Sequence, residues 1–184
     1  IDKTAPTCTK SGGSTSWYNT NRTITGTCND ALSGCSVASS SYTYTSNTNI
    51  TNAGPGTNGG DWTMTDNAGN SAPCSADQTV RIDKTPPTCT TSGGSSSWYN
   101  TNRTITGTCS DTGGSGCVGN ISYTYSVSSG SSLSITNGGP GANGTAGTVS
   151  DAAGNTAACS ANQTVKIDKV LPAATAHDPA SRGW

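Results

Sequence analysis

The sequence contains no phenylalanine, no glutamate, one methionine and one histidine, and only 10% of its residues are charged. With 30% hydrophobic residues, the chain has little material for a large apolar core. The net charge of −1 provides no basic surface for nucleic acid or an anionic membrane. No apolar run is long enough to span a bilayer. We therefore expect no nucleic-acid partner and no membrane insertion.

The scarcity of titratable side chains also argues against catalysis. All ten acidic residues are aspartate, and the single histidine, His177, leaves residues 1–169 without the base that a Ser-His-Asp or Cys-His site needs. Asp30 and Asp66 lie in turn sequences, where aspartate normally bonds to its own backbone. The sequence therefore predicts a protein that is not an enzyme.

The chain is an internal duplication. IDKTAPTCT opens it at Ile1, IDKTPPTCT follows at Ile82, and IDKVLP begins at Ile167. The landmarks SWYNTNRTITGTC, SYTY, AGN and QTV recur in order within each unit. A period above 80 residues is too long for a solenoid repeat and suits a small domain. We predict repeat 1 at residues 1–84, repeat 2 at 85–169, and a tail at 170–184 that is a mobile end or the start of another segment.

Each repeat carries four cysteines at matched places. The even number, in so polar a chain, indicates disulfides that replace missing hydrophobic burial, and therefore an extracellular location. A zinc site is the weaker interpretation, because there is no CxxC pair and no histidine in either repeat. The cysteines are Cys8, Cys28, Cys35 and Cys74 in repeat 1, and Cys89, Cys109, Cys117 and Cys159 in repeat 2.

The local patterns predict short strands and almost no helix. Threonine alternates with other residues in TNRTITGTC, Tyr42 and Tyr44 share one face of SYTYT, and Val80 and Ile82 share one face of QTVRID. The segments between them, such as GPG, NGG and DNAGN, are typical of turns. Short strands with frequent turns in a domain of this length predict an all-β fold of two tandem antiparallel sandwiches.

The order PT, WYN, TITGTC, SGC, YTY, DxAGN and IDKT resembles the bacterial immunoglobulin-like repeats of secreted and cell-surface proteins. The resemblance covers both repeats up to about Lys169, and it implies a seven-strand Ig-like sandwich that serves as a spacer, a stalk or sometimes an adhesive module, without enzyme activity. It makes IDKTPPT the joint between domains, where Pro86 and Pro87 lock the backbone and stiffen the short linker. Four cysteines per repeat exceed the usual pattern.

The strand order that the resemblance implies places all four cysteines of a repeat at one end, so three pairings are open. The resemblance favours Cys8–Cys74 with Cys28–Cys35, and Cys89–Cys159 with Cys109–Cys117. The alternative in repeat 1 is Cys8–Cys28 with Cys35–Cys74. We expect reduction of the disulfides to cost most of the stability of so small a domain.

Three kinds of site remain as candidates. No cofactor is required, but aspartates near the joint and the N-terminus could bind Ca²⁺, which takes oxygen ligands. The competing interpretation is that these aspartates only form turns. Tryptophans offer a stacking platform if the module binds surface glycans, although packing is the commoner use of tryptophan. Trp62 is expected to be local surface decoration, because Gly147 replaces it in repeat 2. Sequons allow glycosylation. The residues are Asp2, Asp30, Asp66, Asp83, Asp111 and Asp151; Trp17, Trp62 and Trp98; and Asn21, Asn49, Asn102, Asn120, Asn143 and Asn162.

The expected function is a non-enzymatic, extracellular structural or spacer module of a bacterial surface protein, stalk or fibre. The expected partners are neighbouring Ig-like repeats or identical subunits joined head to tail. The alternative is an adhesin or carbohydrate-binding module that uses exposed tryptophans and loops.

Overall fold

The computed structural model describes residues 1–174, and this part of the chain contains β-strands and two short 3-10 turns but no α-helix. The all-β prediction is confirmed. The predicted tail lies outside the described residues from position 175 onward, and His177 lies there as well. Among the described residues, no helix has the length and apolar character needed to cross a bilayer.

Repeat 1 contains seven strands. They are β1 (Thr7–Ser11), β2 (Arg22–Asn29), β3 (Ser39–Tyr44), β4 (Thr48–Ala53), β5 (Trp62–Thr65), β6 (Ser71–Cys74) and β7 (Gln78–Ile82). They form a three-stranded sheet in the order β1-β2-β3 and two strand pairs, β4-β7 and β5-β6, all antiparallel. A parallel bridge joins Tyr18 to Ile82.

Repeat 2 has the same number of strands in the same arrangement. They are β8 (Thr88–Ser92), β9 (Arg103–Ser110), β10 (Ile121–Tyr125), β11 (Ser132–Gly138), β12 (Thr148–Ser150), β13 (Thr156–Ala158) and β14 (Gln163–Asp168). The sheets are β10-β9-β8, β11-β14 and β12-β13. The duplication of the sequence is therefore a duplication of strand order.

The alternation along β2 shows why these residues form a strand. Ile24, Gly26 and Cys28 are buried, whereas Thr23 and Thr27 are exposed, so one face of the strand lies on the core. Gly26 is required by close packing, because a Cβ there would lie 2.8 Å from both the Cys74 Sγ and the Pro55 Cγ.

Small apolar clusters form the core of each repeat. In repeat 1, one cluster is built from Ile24, Tyr44, Ala53, Val80 and Ile82. A second cluster joins Cys28, Met64 and Cys74, so sulfur-containing side chains form its buried part. In repeat 2, the corresponding core is built from Ile105, Tyr125, Val165 and Ile167.

The described chain divides into two compact units. Unit 1 contains residues 1–89, 109–120 and 148–158. Unit 2 contains residues 90–108, 121–147 and, from residue 159, the remainder of the described chain. Unit 1 thus holds repeat 1 together with three segments of repeat 2, which are residues 85–89, 109–120 and 148–158.

Candidate functional site

Two clusters of three aspartates bring their carboxylates together. The first triad is Asp2, Asp30 and Asp66, and the second triad is Asp83, Asp111 and Asp151. In each triad one carboxylate oxygen per residue lies within 4.8 Å of the others. Both triads belong to unit 1. The fold therefore assembles, in each copy of the motif, residues that the sequence separates by more than 60 positions.

Asp83 of the second triad lies at the joint and is fully buried. Its carboxylate accepts hydrogen bonds from the backbone N–H of Thr85 at 3.0 Å and of Ser115 at 2.9 Å. Its carbonyl oxygen accepts a hydrogen bond from the Asn155 side chain at 2.8 Å. The backbone N–H of Asp83 donates to the carbonyl of Tyr18 at 2.9 Å. One residue therefore fastens the end of repeat 1 to two loops of repeat 2.

The other members of the second triad organise those loops. Asp111 accepts backbone N–H bonds from Gly113 and Gly116, and Asp151 accepts bonds from the backbone and the side chain of Asn155. A Cβ at Gly113 would collide with the Asp83 carboxylate, so the close approach of this loop requires glycine.

The first triad repeats this arrangement at Asp2. Its carboxylate accepts backbone N–H bonds from Thr4 at 2.9 Å and Ser33 at 3.0 Å, and its carbonyl accepts a bond from the Asn70 side chain at 3.3 Å. Asp66 accepts bonds from the Asn70 backbone and side chain. The IDK phrase is therefore a conformational unit whose aspartate binds the SG and DxAGN loops of the repeat that follows it.

The lysine of the IDK phrase contacts the repeat that precedes the phrase. Lys84 Nζ donates to the Asn21 side chain and to the Thr45 carbonyl, both at 2.5 Å. Lys169 makes the equivalent bonds to Asn102 and Val127. Ile82 and Ile167 are fully buried in their own repeats. Isoleucine and lysine thus hold the phrase to the preceding repeat, which explains why all three residues recur together.

The local hydrogen bonds determine the charge state of these aspartates. Burial raises the pKa of Asp83, but the bonds from Ser115 and Thr85 outweigh it and hold the pKa below its ordinary value. The pKa of Asp66 is lowered in the same way, because bonds from Asn70 and Ala68 outweigh burial. Bonds from Thr4 and Ser33 lower the pKa of Asp2. We therefore expect these three carboxylates to be ionised at neutral pH.

No protein cation neutralises either triad, because the one salt bridge among residues 1–174 joins Lys10 to Asp77. The Ser115 hydroxyl, beside the second triad, is buried and has no hydrogen-bond partner in the described part of the chain. Three carboxylates, nearby carbonyls and a hydroxyl are the oxygen ligands that Ca²⁺ prefers. Turn formation and cation binding are compatible here, since each carboxylate oxygen has a second lone pair.

The disulfides lie beside these loops. Cys8 pairs with Cys74, Cys28 with Cys35, and Cys109 with Cys117. Cys89 and Cys159 are also disulfide-bonded, so no described cysteine is free. Cys35 and Cys117 form isolated bridges to Asp66 and Asp151, which links the short-loop disulfides to the triads.

The tryptophans occupy different environments. Trp17 is half-buried, with the Arg81 guanidinium 5.9 Å from its ring centroid. Trp62, which was expected to decorate the surface, instead packs half-buried against the Cys28–Met64–Cys74 cluster, and this corrects the expectation. Trp98 is 54% exposed, and Lys166 Nζ lies 5.7 Å from its ring centroid.

All six sequon asparagines are exposed. Four of them accept hydrogen bonds through their side-chain oxygens: Asn21, Asn102, Asn120 and Asn162.

Four residues of the two triad sites were not predicted from the sequence: Asn70, Asn155, Ser33 and Ser115. The signal was present in the repeated SG and DxAGN motifs, which carry all four. Backbone N–H donors, however, leave no mark of their own in a sequence, so the role of the two serines could not be seen there.

Comparison with known proteins gives no family assignment: no family model matches the chain, and no curated protein or solved structure matches it either.

Proposed function

We propose that the chain is a non-enzymatic, extracellular structural module of a bacterial surface protein, built from two Ig-like sandwiches that act as a spacer. The observation that carries this proposal is the repeated clamp of the IDK phrase, which fastens consecutive repeats through Asp83. The disulfides support an oxidising location. The aspartates accept hydrogen bonds from the loops and the joint, an arrangement that suits mechanical connection.

The Cys8–Cys74 disulfide gives such a spacer a specific mechanical property. It joins residues 66 positions apart. The enclosed segment contains β2 to β5 and most of β1 and β6. A pulling force along the chain passes through the sulfur atoms, so the enclosed residues cannot extend while the bond is intact. The covalent bond therefore sets the length of repeat 1 under load.

We expect single-molecule pulling from the two ends of the chain to show this directly. With reductant, unfolding of repeat 1 should release roughly 220–240 Å more contour length than without it, since an extended residue spans about 3.3–3.6 Å. The Cys28→Ala, Cys35→Ala variant is the matched control, because it should leave the oxidised extension unchanged. A long extension of the oxidised chain at low force would contradict a load-bearing role.

We also propose that the second triad binds Ca²⁺ and strengthens the joint. Asp83, Asp111 and Asp151 supply carboxylate oxygens within 4.8 Å of one another, and no lysine or arginine pairs with them in the described chain. A cation at this point would relieve the repulsion among three carboxylates.

Addition of Ca²⁺ is expected to raise the melting temperature, and a chelator to reverse the change. At about 100 times the Kd the gain is about 2.7 kcal/mol, or several degrees for a chain of this size. The Asp111→Asn variant should lose most of the gain, whereas Asp168→Asn, outside both triads, should keep it. Identical melting curves with Ca²⁺ and with chelator would restrict the triads to hydrogen bonding.

A further inference from the structure

β3 and β10 are outer strands of the two three-stranded sheets, and each has one edge without a partner strand among the described residues. Among the strands of residues 1–174, β3 pairs only with β2, and β10 pairs only with β9. Cys28 N–H donates to the Ala38 carbonyl, which fixes the phase of the β2–β3 ladder. Hydrogen-bonded and non-bonded pairs alternate in an antiparallel ladder. The N–H and C=O groups of Ser41 and Thr43 therefore point away from β2, toward the open edge.

Repeat 2 has the same register, because Tyr123 opposes Ile105 as Tyr42 opposes Ile24. The equivalent outward groups are therefore those of Ser122 and Thr124. Ser41, Thr43, Ser122 and Thr124 are all exposed. The next strands along the chain have open edges too, since in the described part of the chain β4 pairs only with β7 and β11 pairs only with β14.

These edges lack the usual protection against pairing with another chain. Natural proteins place lysine, other charges or proline on an exposed edge strand. Here residues 31–60 contain no charged side chain, and neither do residues 112–150. β3, β4, β10 and β11 contain no proline. The two uncharged stretches include all four of these strands.

In unit 2 the edge strands also border a cleft whose lining contains both apolar and polar side chains. Tyr123 and Tyr125 of β10 and Leu133 and Ile135 of β11 line it. Polar side chains come from Ser126, Asn137 and Asn143. Tyr123, Leu133 and Ile135 are only half-buried. A strand added to the β10 edge would therefore find tyrosine, leucine and isoleucine side chains as well as polar groups beside the outward backbone groups.

We infer that the β3 and β10 edges are an interaction surface for a second copy of this chain, which adds its own edge strand in antiparallel register. A two-fold contact of this kind places each residue near its own counterpart. Any charge on the edge would face an identical charge, and like charges opposite one another destabilise a strand pair. The uncharged composition of both edges suits self-pairing in particular. This inference does not depend on the proposed spacer function.

The test compares association of the full chain with that of the Ser41→Pro, Ser122→Pro variant by sedimentation velocity over a range of concentrations. Proline removes the outward N–H without breaking a bond to β2 or β9. We expect the wild-type chain to self-associate and the variant to associate about tenfold more weakly or worse, the effect of losing one or two hydrogen bonds. Ser41→Ala, Ser122→Ala keeps the N–H groups and should behave like the wild type.

Thermal melting of each variant shows whether it folds. If the proline variant does not fold, Thr43→Lys with Thr124→Lys replaces it, because lysine protects an edge without altering the backbone. A wild-type chain that stays monomeric at every concentration would overturn the inference. So would a folded proline or lysine variant that associates as strongly as the wild type.

Discussion

Removing the Cys8–Cys74 disulfide by alanine substitution is expected to cost about 4 kcal/mol of unfolding free energy, whereas removing Cys28–Cys35 should cost about 2 kcal/mol. The difference follows from loop length, since the first bond joins residues 66 apart and the second joins residues 7 apart. A longer closed loop restricts the unfolded chain more. Small domains often have only about 5 kcal/mol of total stability, so loss of the Cys8–Cys74 bond should remove most of the stability of repeat 1.

Denaturant unfolding of the two double variants measures this difference. Alanine is preferred to serine, because Cys74 is fully buried and a hydroxyl there would add an unsatisfied polar group. Both variants lose sulfur from the same cluster with Met64, so packing losses are similar and the loop-length effect stands out. Equal destabilisation by the two variants would show that packing, and not restriction of the unfolded chain, is the main contribution of these bonds.

Local patterns in the sequence were sufficient to predict several of the strands. Alternation in TNRTITGTC and QTVRID predicted β2 and β7, with Val80 and Ile82 on the buried face and Arg81 on the other. The all-β class follows from many such short segments. The assignment of two Ig-like sandwiches stays a prediction, because the observed sheets contain only two or three strands each.

The triads were harder to predict in detail. Aspartates were suspected at the joint, but the contacts that define the site join distant residues. Asn155 bonds to the Asp83 carbonyl across 72 positions, and the Ser115 N–H reaches the Asp83 carboxylate across 32 positions. Trp62 was misplaced for a related reason. Its absence from repeat 2 indicated that the architecture does not require it, but it did not show that a local cluster of Met64 and cysteine sulfur covers its ring.

The Asp83→Asn variant is expected to be destabilised by about 2–3 kcal/mol, the scale of hydrogen bonds to a charged group. An amide has one acceptor oxygen, whereas the Asp83 carboxylate uses one oxygen for Thr85 and the other for Ser115. One buried N–H would therefore face the NH₂ group of the new side chain. The matched control is Asp168→Asn in the third IDK phrase, where an exposed carboxylate accepts a single bond from Val170, and the loss should stay within about 0.5 kcal/mol.

The pH dependence of the same two variants separates charge from shape. The pKa of Asp83 is lower in the folded protein than its ordinary value of 3.8, so its stabilising effect is complete above that value and is lost as pH falls through the folded-state pKa. Asp2 and Asp66 act in the same direction. The denaturant concentration at the wild-type unfolding midpoint should therefore decrease as the pH is lowered below about 4. For the Asp83→Asn variant, the decrease over the same pH range should be smaller. Parallel curves of stability against pH for wild type and Asp83→Asn would mean that the ionised carboxylate does not hold the joint. The clamp would then depend on the bond from Asn155 to the Asp83 carbonyl.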